Sequence, residues 1–177
     1  MDTFSVPTRE QVSPANQALF DNMTKTIGSV PNLYAVYAHS ENALGSYLAL
    51  SNARTSLRAK EKEIVNLVVS QVNDCKYCLA AHTAISKKQG FTDEQILEIR
   101  RASISFDSKF DTLAKLAKSI AENKGHADPQ LVENFYAAGY NQGSLIDVVM
   151  VVGDKTITNY IYALTDIPID FPIAPAI

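Results

Sequence analysis

The two cysteines of the chain, Cys75 and Cys78, form a C-x-x-C motif that is followed by His82. In an α-helix these three positions fall on one stripe, so both thiols and the imidazole project in the same direction. His82 is four residues from Cys78, a near-neighbour spacing, and seven residues from Cys75, about 10 Å along the helix axis. The spacing therefore predicts that His82 serves as a base for Cys78 directly and for Cys75 only through an intermediary.

Glu63 is the acidic residue that could complete this group. Glu63 lies ten residues before Asn73, and His82 lies nine residues after Asn73. If the two helices form an αα-hairpin about Asn73 and Asp74, both side chains lie roughly 14 Å from the turn, level with each other. The arrangement permits a relay in which the carboxylate orients the imidazole and the imidazole takes the thiol proton.

The cysteines also stand where a helix is predicted to begin, with Asp74 as its N-cap. In a first helical turn the unpaired N–H groups and the helix dipole favour an anion, and such sites lower a thiol pKa from about 8.5 to roughly 3.5–7.5. A thiolate could attack a peroxide O–O bond, and the sulfenic acid formed would condense with the other cysteine to give a disulfide and water. This chemistry requires no cofactor and no metal, and none is predicted.

A zinc site is the main structural alternative, because Cys75, Cys78, His82 and Glu63 number four potential ligands. The second pair of cysteines or histidines usual in such sites is missing, which favours thiol chemistry. Glu63 taken alone would be a solvated charge, since charged residues precede it. Analysis of the metal content of the purified protein would distinguish the two.

Three other polar residues stand out in apolar or aromatic surroundings. His39 follows two tyrosines and could line a pocket, although packing is the simpler interpretation. Asp147 and Lys155 interrupt the apolar last helix, and their separation of eight residues is too long for an intrahelical pair. They are interpreted as candidates for a subunit interface or a pocket wall.

Length and composition favour one domain of ordinary size. The chain has 177 residues, of which 46% are hydrophobic and 20% charged, and its net charge is −3. The basic excess of a nucleic-acid binder and the polybasic face of a lipid-bound protein are both missing. The longest apolar stretch, 145–152, is too short to span a bilayer, and residues 1–5 do not resemble a signal peptide. The predicted location is the cytoplasm, where thiols are kept reduced, with neither nucleic acid nor membrane as a partner.

Helical spacing of apolar residues and an absence of proline from residue 32 to 128 predict an all-α fold. A single domain is expected over residues 1–177, with extended or arm segments at about 1–12 and 166–177, the second rich in proline. Helices are predicted from Thr8 to about Gly28, from Asn32 to about Ser51, from a Ser56 cap to about Val72, from Asp74 to Gly90, from Thr92 to about Ala102, from Asp107 onward, from Asp128 to Gly139, and from Ser144 to about Leu164.

The pattern Glu63-x11-Cys75-x2-Cys78-x3-His82 resembles the signature of the AhpD-like alkylhydroperoxidases, within the carboxymuconolactone decarboxylase superfamily. The motif spans about twenty residues. A looser likeness, from the region of residues 31–33 to residues 170–172, is similar to the peroxidase-related branch of that superfamily. One departure concerns Tyr77, which occupies a position where the best-known members often carry histidine.

The resemblance implies an all-α AhpD-like bundle, a homo-oligomer (a dimer, trimer or hexamer) and reduction of small hydroperoxides at the expense of an external dithiol. It also implies that Cys78 is the peroxidatic cysteine and Cys75 the resolving one, with Glu63 and His82 as the proton relay. Two other functions are considered: a redox-sensing or scaffolding protein without turnover, and a lyase of the carboxymuconolactone decarboxylase type in which the cysteines are incidental.

Overall fold

All of the regular secondary structure in residues 4–177, the part of the chain that the computed structural model describes, is helical. The prediction of an all-α fold is therefore confirmed. In chain order the helices are α1 (Pro14–Ile27), α2 (Asn32–Tyr37), α3 (Ala43–Ser51), α4 (Ala59–Val72), α5 (Lys76–Lys88), α6 (Asp93–Arg101), α7 (Ser108–Glu122), α8 (Pro129–Ala137) and α9 (Gln142–Thr165). No helix within residues 4–177 is both long enough and apolar enough to cross a membrane.

These residues divide into two compact units. The first unit contains the chain up to Ala53 together with Ile161–Asp170, and so includes helices α1 to α3. Its segments are held together by hydrogen bonds from Asn16 and Asn32. The Nδ2 of Asn16 donates to backbone oxygens at the end of α2, and the backbone N–H of Asn32 donates to the carboxylate of Asp170 at 2.9 Å.

The second unit contains Arg54–Tyr160 and Phe171–Ile177, and it holds all four predicted site residues. Helix α4 is its central element, because it packs against α5, α6 and α7. The apolar side chains from Ile64 to Val69 are almost completely buried in one hydrophobic core with residues of α6, α7 and α9. The helix pair α4 and α5 is the predicted hairpin that carries the C-x-x-C motif.

The predicted first helix is wrong at its start, because the chain forms two elements there. Thr8 makes its predicted capping box with Gln11, but this box opens only a short 3₁₀ turn over Arg9–Gln11. Helix α1 then begins at Pro14 with Ser13 as its N-cap. A proline disfavours helical geometry in the residue before it, so Ser13 is extended and separates the two elements. Of the predicted arm over residues 1–12, the first three lie outside the described residues.

The predicted second helix is likewise two helices, α2 and α3. The chain turns between them at residues 38–42, where the carbonyls of Ala38 and Ser40 accept hydrogen bonds from Asn16 of α1. The Ser40 hydroxyl then accepts from the backbone N–H of Ala43, which begins α3. Hydrogen bonds from the side chain of Asn16 thus take the place of backbone hydrogen bonds that would continue the helix. The sequence around residues 38–42 gives no indication of this break.

Two further helix starts differ from those predicted. Helix α4 has Arg58 as its N-cap, and the backbone N–H of Arg58 donates to Glu61 at 2.8 Å. Ser56, which was predicted to be this cap, donates to Asp147 of α9 through its backbone N–H and its hydroxyl. Helix α9 begins at Gln142, two residues before the predicted start. The caps predicted at Thr92, Asp107 and Asp128 are confirmed. Residues 166–177 contain no helix.

Candidate active site

The turn between α4 and α5 places the two cysteines at the start of a helix. Helix α4 ends in a Schellman motif, in which the backbone N–H of Cys75 donates to the Ser70 carbonyl at 2.9 Å and that of Asp74 donates to the Gln71 carbonyl at 3.2 Å. Asp74 therefore takes the left-handed conformation, with a φ of 49°. The predicted N-cap role of Asp74 is wrong for this reason, since it closes one helix instead of opening the next.

Cys75 is the N-cap of α5 in place of Asp74. Its Sγ accepts a hydrogen bond from the backbone N–H of Cys78 at 3.2 Å. The two residues are joined by a disulfide, with a Cα–Cα distance of 5.3 Å, and they are only 1% and 3% exposed. The sulfur of Cys75 thus lies where the unpaired N–H groups of a helix stabilise negative charge, as the sequence predicts for this pair.

Glu63 and His82 meet across the hairpin at the height that their spacing predicts. The Nδ1 of His82 lies 2.8 Å from Oε2 of Glu63, and both side chains are buried or nearly so. The other carboxylate oxygen of Glu63 accepts a hydrogen bond from Nδ2 of Asn66 at 2.9 Å. With the carboxylate as acceptor, Nδ1 of His82 carries the hydrogen, and Nε2 is the ring nitrogen that can accept a proton.

The electrostatics of this pair favour an ionised carboxylate beside a neutral imidazole. Burial tends to raise the pKa of Glu63, but the charge and hydrogen bond of His82, the Asn66 amide and the charge of Lys155 outweigh burial and hold that pKa below its ordinary value. The pKa of His82 is lowered by burial and by the positive charge of Lys155, against the opposing effect of Glu63 and Asp154. The neutral form of the His82 imidazole is therefore favoured over its charged form.

Lys155 is a component of the site whose role the sequence did not identify. It is 5% exposed on the inner face of α9, and burial lowers its pKa. Lys155 and Asp147 are the two charged residues predicted for an interface or a pocket wall. The charge of Lys155 lowers the pKa of both Glu63 and His82, whereas Asp147 accepts hydrogen bonds from Ser56. The sequence feature that could have identified Lys155 is its position as a charged residue within an apolar helix.

Asn66 was also missed, although it lies one turn after Glu63 on α4 and is the polar residue within the apolar run from Ile64 to Val69. A polar side chain in a run of core residues needs a buried partner, and the carboxylate of Glu63 is that partner. This spacing of three residues is the signal that could have identified it.

The side chain of Tyr77 packs in the interior of the second unit. Its side chain is 3% exposed, and its ring meets that of Phe171 edge to face at 5.6 Å. The C-terminal segment is fixed again by Arg100, whose Nη1 donates to the carbonyl of Pro175 at 2.6 Å. The segment 171–177 therefore packs against the start of α5 at Tyr77, the residue immediately before Cys78.

His39 lies in the first unit and does not belong to the site. Its Nε2 is 2.8 Å from the Ser5 carbonyl, and its ring meets that of Phe4 edge to face. His39 is exposed, so its packing is limited to these contacts with the N-terminal segment. Within residues 4–177, no group of three or more histidine, cysteine, aspartate or glutamate side chains is arranged to hold a metal ion.

A family match covers the part of the chain that carries this site. The model of the carboxymuconolactone decarboxylase family matches residues 38–119. An uncharacterised peroxidase-related protein from Silicibacter sp. TM1040 has the same fold, with a TM-score of 0.81 and 21% identity over 95% of this chain and 94% of that chain. A peroxidase-related protein with an alkylhydroperoxidase AhpD core, from Ralstonia eutropha JMP134, gives a TM-score of 0.85 at 15% identity over 94% and 91%.

The fold is also shared with a protein of different activity. The debrominase Bmp8, in a variant bound to 2,3,4-tribromopyrrole, gives a TM-score of 0.78 at 14% identity over 96% of this chain and 93% of that chain. No curated protein sequence matches the chain significantly.

The helical fold of residues 4–177, which places a C-x-x-C disulfide at the start of a hairpin helix, is shared with a protein that has an alkylhydroperoxidase AhpD core. The family match over residues 38–119 and the shared fold both support the resemblance to the AhpD-like alkylhydroperoxidase and carboxymuconolactone decarboxylase superfamily. The resemblance seen in the motif is thereby confirmed.

Proposed function

We propose that the protein is a thiol-dependent peroxidase that reduces hydrogen peroxide or small organic hydroperoxides through Cys75 and Cys78. One observation carries the proposal: the buried disulfide begins α5, and one turn further along the same helix His82 is hydrogen-bonded to a buried carboxylate. A disulfide is the oxidised product of such a cycle, and a neutral imidazole backed by a carboxylate is the base that such a cycle needs.

The reaction is proposed to start from the reduced pair. Nε2 of His82 accepts the proton of the Cys78 thiol, and the thiolate attacks the terminal oxygen of the hydroperoxide. The O–O bond breaks, the sulfur becomes a sulfenic acid, and the leaving alkoxide takes the proton from His82 to give an alcohol. The Cys75 thiol then loses its proton and its thiolate attacks the sulfur of Cys78, and the disulfide forms as the hydroxide of the sulfenic acid leaves and takes up that proton to give water.

The other residues have supporting roles in this proposal. Glu63 is a positioning residue, because its hydrogen bond fixes the tautomer and the orientation of the His82 ring. Lys155 opposes protonation of His82 through its positive charge. The N-cap position of Cys75 stabilises its thiolate, which suits it to the resolving step. An external dithiol supplies the two electrons and two protons that regenerate the reduced pair.

Burial of the cysteines limits the substrate. Sulfur atoms in residues that are 1% and 3% exposed are reached by a small peroxide more readily than by a bulky one. We place the cycle in the cytoplasm, where dithiol reductants are maintained, and assign it to a homo-oligomer.

The test is steady-state consumption of hydroperoxide with a panel of dithiols. We expect Cys78→Ser to abolish turnover, and Cys75→Ser to allow one oxidation without disulfide formation. His82→Ala should slow the reaction by about 10²–10⁴-fold, the usual contribution of a general base. The matched control is His126→Ala, which removes an exposed histidine and should leave the rate unchanged. Equal turnover by the wild-type chain and Cys78→Ser would refute the proposal.

The same measurements distinguish the alternatives. A redox sensor or scaffold would react with peroxide once and would not turn over with any dithiol. A lyase of the carboxymuconolactone decarboxylase type would keep its activity after alkylation of the thiols.

Reductive dehalogenation is a second candidate, favoured by the fold shared with a debrominase. Replacing bromine by hydrogen consumes two electrons and a proton and releases bromide, and a dithiol supplies these as it becomes a disulfide. Bromide release from a brominated pyrrole that exceeds peroxide consumption under the same conditions would favour this candidate.

A further inference from the structure

Helix α9 has an apolar stripe on its outer side that residues 4–177 of the same chain leave exposed. The stripe consists of Gly153 and five larger side chains: Ile146 (62% exposed), Val149 (47%), Met150 (47%), Ile157 (42%) and Tyr160 (59%). The opposite side of the helix is buried, since Val148, Val151 and Val152 belong to the hydrophobic core of the second unit. A helix exposed on one side should be polar there, and this one is apolar.

No charged side chain of α9 lies on this stripe. The helix contains three charged residues, and each has an internal role: Asp147 accepts hydrogen bonds from Ser56, while Asp154 and Lys155 are buried. The largest apolar patch on the surface of a protein is often functional.

The spacing of the stripe is that of a helix–helix seam. Positions 146, 150, 153, 157 and 160 alternate steps of four and three residues, a period of 3.5, which keeps a row of side chains facing one partner helix. A helix that only faces solvent has no reason to keep this period.

Four of the five larger side chains are placed symmetrically about Gly153, whereas Met150 has Thr156 as its counterpart and Leu164 (82% exposed) extends the row at one end only. Ile146 and Tyr160 are seven residues before and after Gly153, and Val149 and Ile157 are four residues before and after it. A surface that is complementary to itself under a two-fold rotation has this property, because each residue then meets its counterpart on the second copy.

Gly153 itself points to a close approach by another chain. A Cβ atom at this position would meet nothing within 4 Å in the same chain, so internal packing does not require glycine there. Glycine is a poor helix former, and a glycine in a helix interior has a packing reason when it is retained. At the midpoint of an exposed seam, that reason is contact between two helix backbones.

We propose that a second copy of this chain packs its α9 antiparallel onto the stripe, with the two-fold axis beside Gly153. Ile146 then lies against Tyr160 of the partner subunit, and Val149 against Ile157 of the partner subunit. The five larger side chains expose on the order of 500 Å² per copy, so the pair buries on the order of 1,000 Å², the size at which a specific interface becomes plausible.

Disulfide trapping tests both the contact and its direction. In the antiparallel arrangement residue 146 lies opposite residue 160 of the second copy, whereas the two copies of residue 146 lie about 21 Å apart along the helix axis. Mild oxidation should therefore convert the double variant Ile146→Cys, Tyr160→Cys into a covalent dimer on a non-reducing gel and leave the single variant Ile146→Cys monomeric on that gel. The native chain, whose cysteines pair with each other, is the background control. Trapping of both variants would indicate a parallel seam, and trapping of neither would indicate no contact here; each result overturns the proposal.

Sedimentation velocity on the full chain provides the second test. Ile157→Asp places a charge in the stripe, and Ile27→Asp places the same charge at an isoleucine of α1 that is 61% exposed and far from the stripe in sequence. We expect the native chain and Ile27→Asp to share one mass and Ile157→Asp to have at most half of it, all three with the same circular dichroism spectrum. A native chain that is monomeric at about 100 μM, or a folded Ile157→Asp that keeps the native mass, would show that the stripe does not bind a second copy.

Discussion

Replacing Glu63 by glutamine tests whether a carboxylate prepares His82 to accept a proton. Glu63 accepts one hydrogen bond from His82 and another from Asn66, one on each oxygen. Glutamine has nearly the same shape, but its amide has one oxygen to accept and an NH₂ group that donates. Asn66 can adapt by rotating its own amide, because its Oδ1 is buried without a hydrogen-bond partner among residues 4–177. We therefore expect Glu63→Gln to fold, to keep the hydrogen bond to His82 and to lose the charge.

The magnitude follows from the kind of hydrogen bond that is lost. A hydrogen bond to a charged group contributes about 1.5–3 kcal/mol, and one between neutral groups about 0.5–1.5 kcal/mol. The difference of about 1–1.5 kcal/mol corresponds to a rate of thiol oxidation that is roughly 5–15-fold slower. Glu63→Ala removes both hydrogen bonds and leaves two buried donors unpaired, so its rate should fall by about 10–10²-fold.

The assay is a single turnover. Reduced protein is mixed with excess hydrogen peroxide in a stopped-flow instrument, and the remaining thiol is followed between pH 5 and 9. Because the negative charge of Glu63 raises the pKa of His82, its loss lowers that pKa further. The acid limb of the profile should then move to lower pH while the plateau decreases, as expected for a weaker base.

A matched control is Glu133→Gln, which changes an exposed glutamate of α8. It should leave both the plateau and the acid limb of the profile at their native positions. The reasoning about Glu63 is refuted if folded Glu63→Gln oxidises within twofold of the native rate, or if its acid limb moves to higher pH.

Three further variants or titrations follow from the same geometry. Lys155→Met removes the positive charge that lowers the pKa of His82, so the acid limb of the pH–rate profile should move to higher pH, opposite to Glu63→Gln. Asp147→Asn weakens the hydrogen bonds from Ser56 that hold the pKa of Asp147 below its ordinary value. Urea unfolding at pH 7 should therefore show a free energy of unfolding that is about 1 kcal/mol lower than that of the native chain. This difference should become smaller as the pH falls through the lowered pKa of Asp147. His82 and Glu63 both have lowered pKa values in the folded chain, so the unfolded chain binds more protons, and the free energy of unfolding should fall below pH 6.5 and again below pH 4.5.

The sequence was sufficient for the parts of the site that depend on local geometry. Helical spacing put Cys75, Cys78 and His82 on one stripe, and counting residues from the turn put Glu63 level with His82. Both inferences depend only on the rise and the period of an α-helix, which vary little. The distance of 2.8 Å between Nδ1 of His82 and Oε2 of Glu63 confirms the second inference, whereas Cys75 is the N-cap of α5 and lies before its first helical residue.

The parts that failed depend on partners that are distant in sequence or on competition between neighbouring helices. Asp74 was predicted to cap α5, but the requirement of α4 for a left-handed residue took precedence. Ser56 was predicted to cap α4, but its donors bind Asp147, which lies 91 residues away. The break between α2 and α3 depends on Asn16 in the same manner. Local propensity describes what a segment can do, and tertiary hydrogen bonds select among the possibilities.

Helix α9 allows the two proposals to be separated experimentally. Asn159 fixes this helix within its own chain, because its Oδ1 accepts from Asn73 at 2.9 Å and its Nδ2 donates to Ser70 at 3.4 Å, beside the turn that carries the cysteines. Lys155 on the same face is therefore held against the Glu63–His82 pair without help from a second copy. We expect Ile157→Asp to lose self-association and to keep a single-turnover rate within about twofold of the native rate, because Lys155 stays in place without the second copy. A tenfold change in rate would require a change of about 1.4 kcal/mol in the activation barrier. A folded Ile157→Asp that oxidises ten times more slowly would mean that the partner subunit, and not Asn159, holds Lys155 in place.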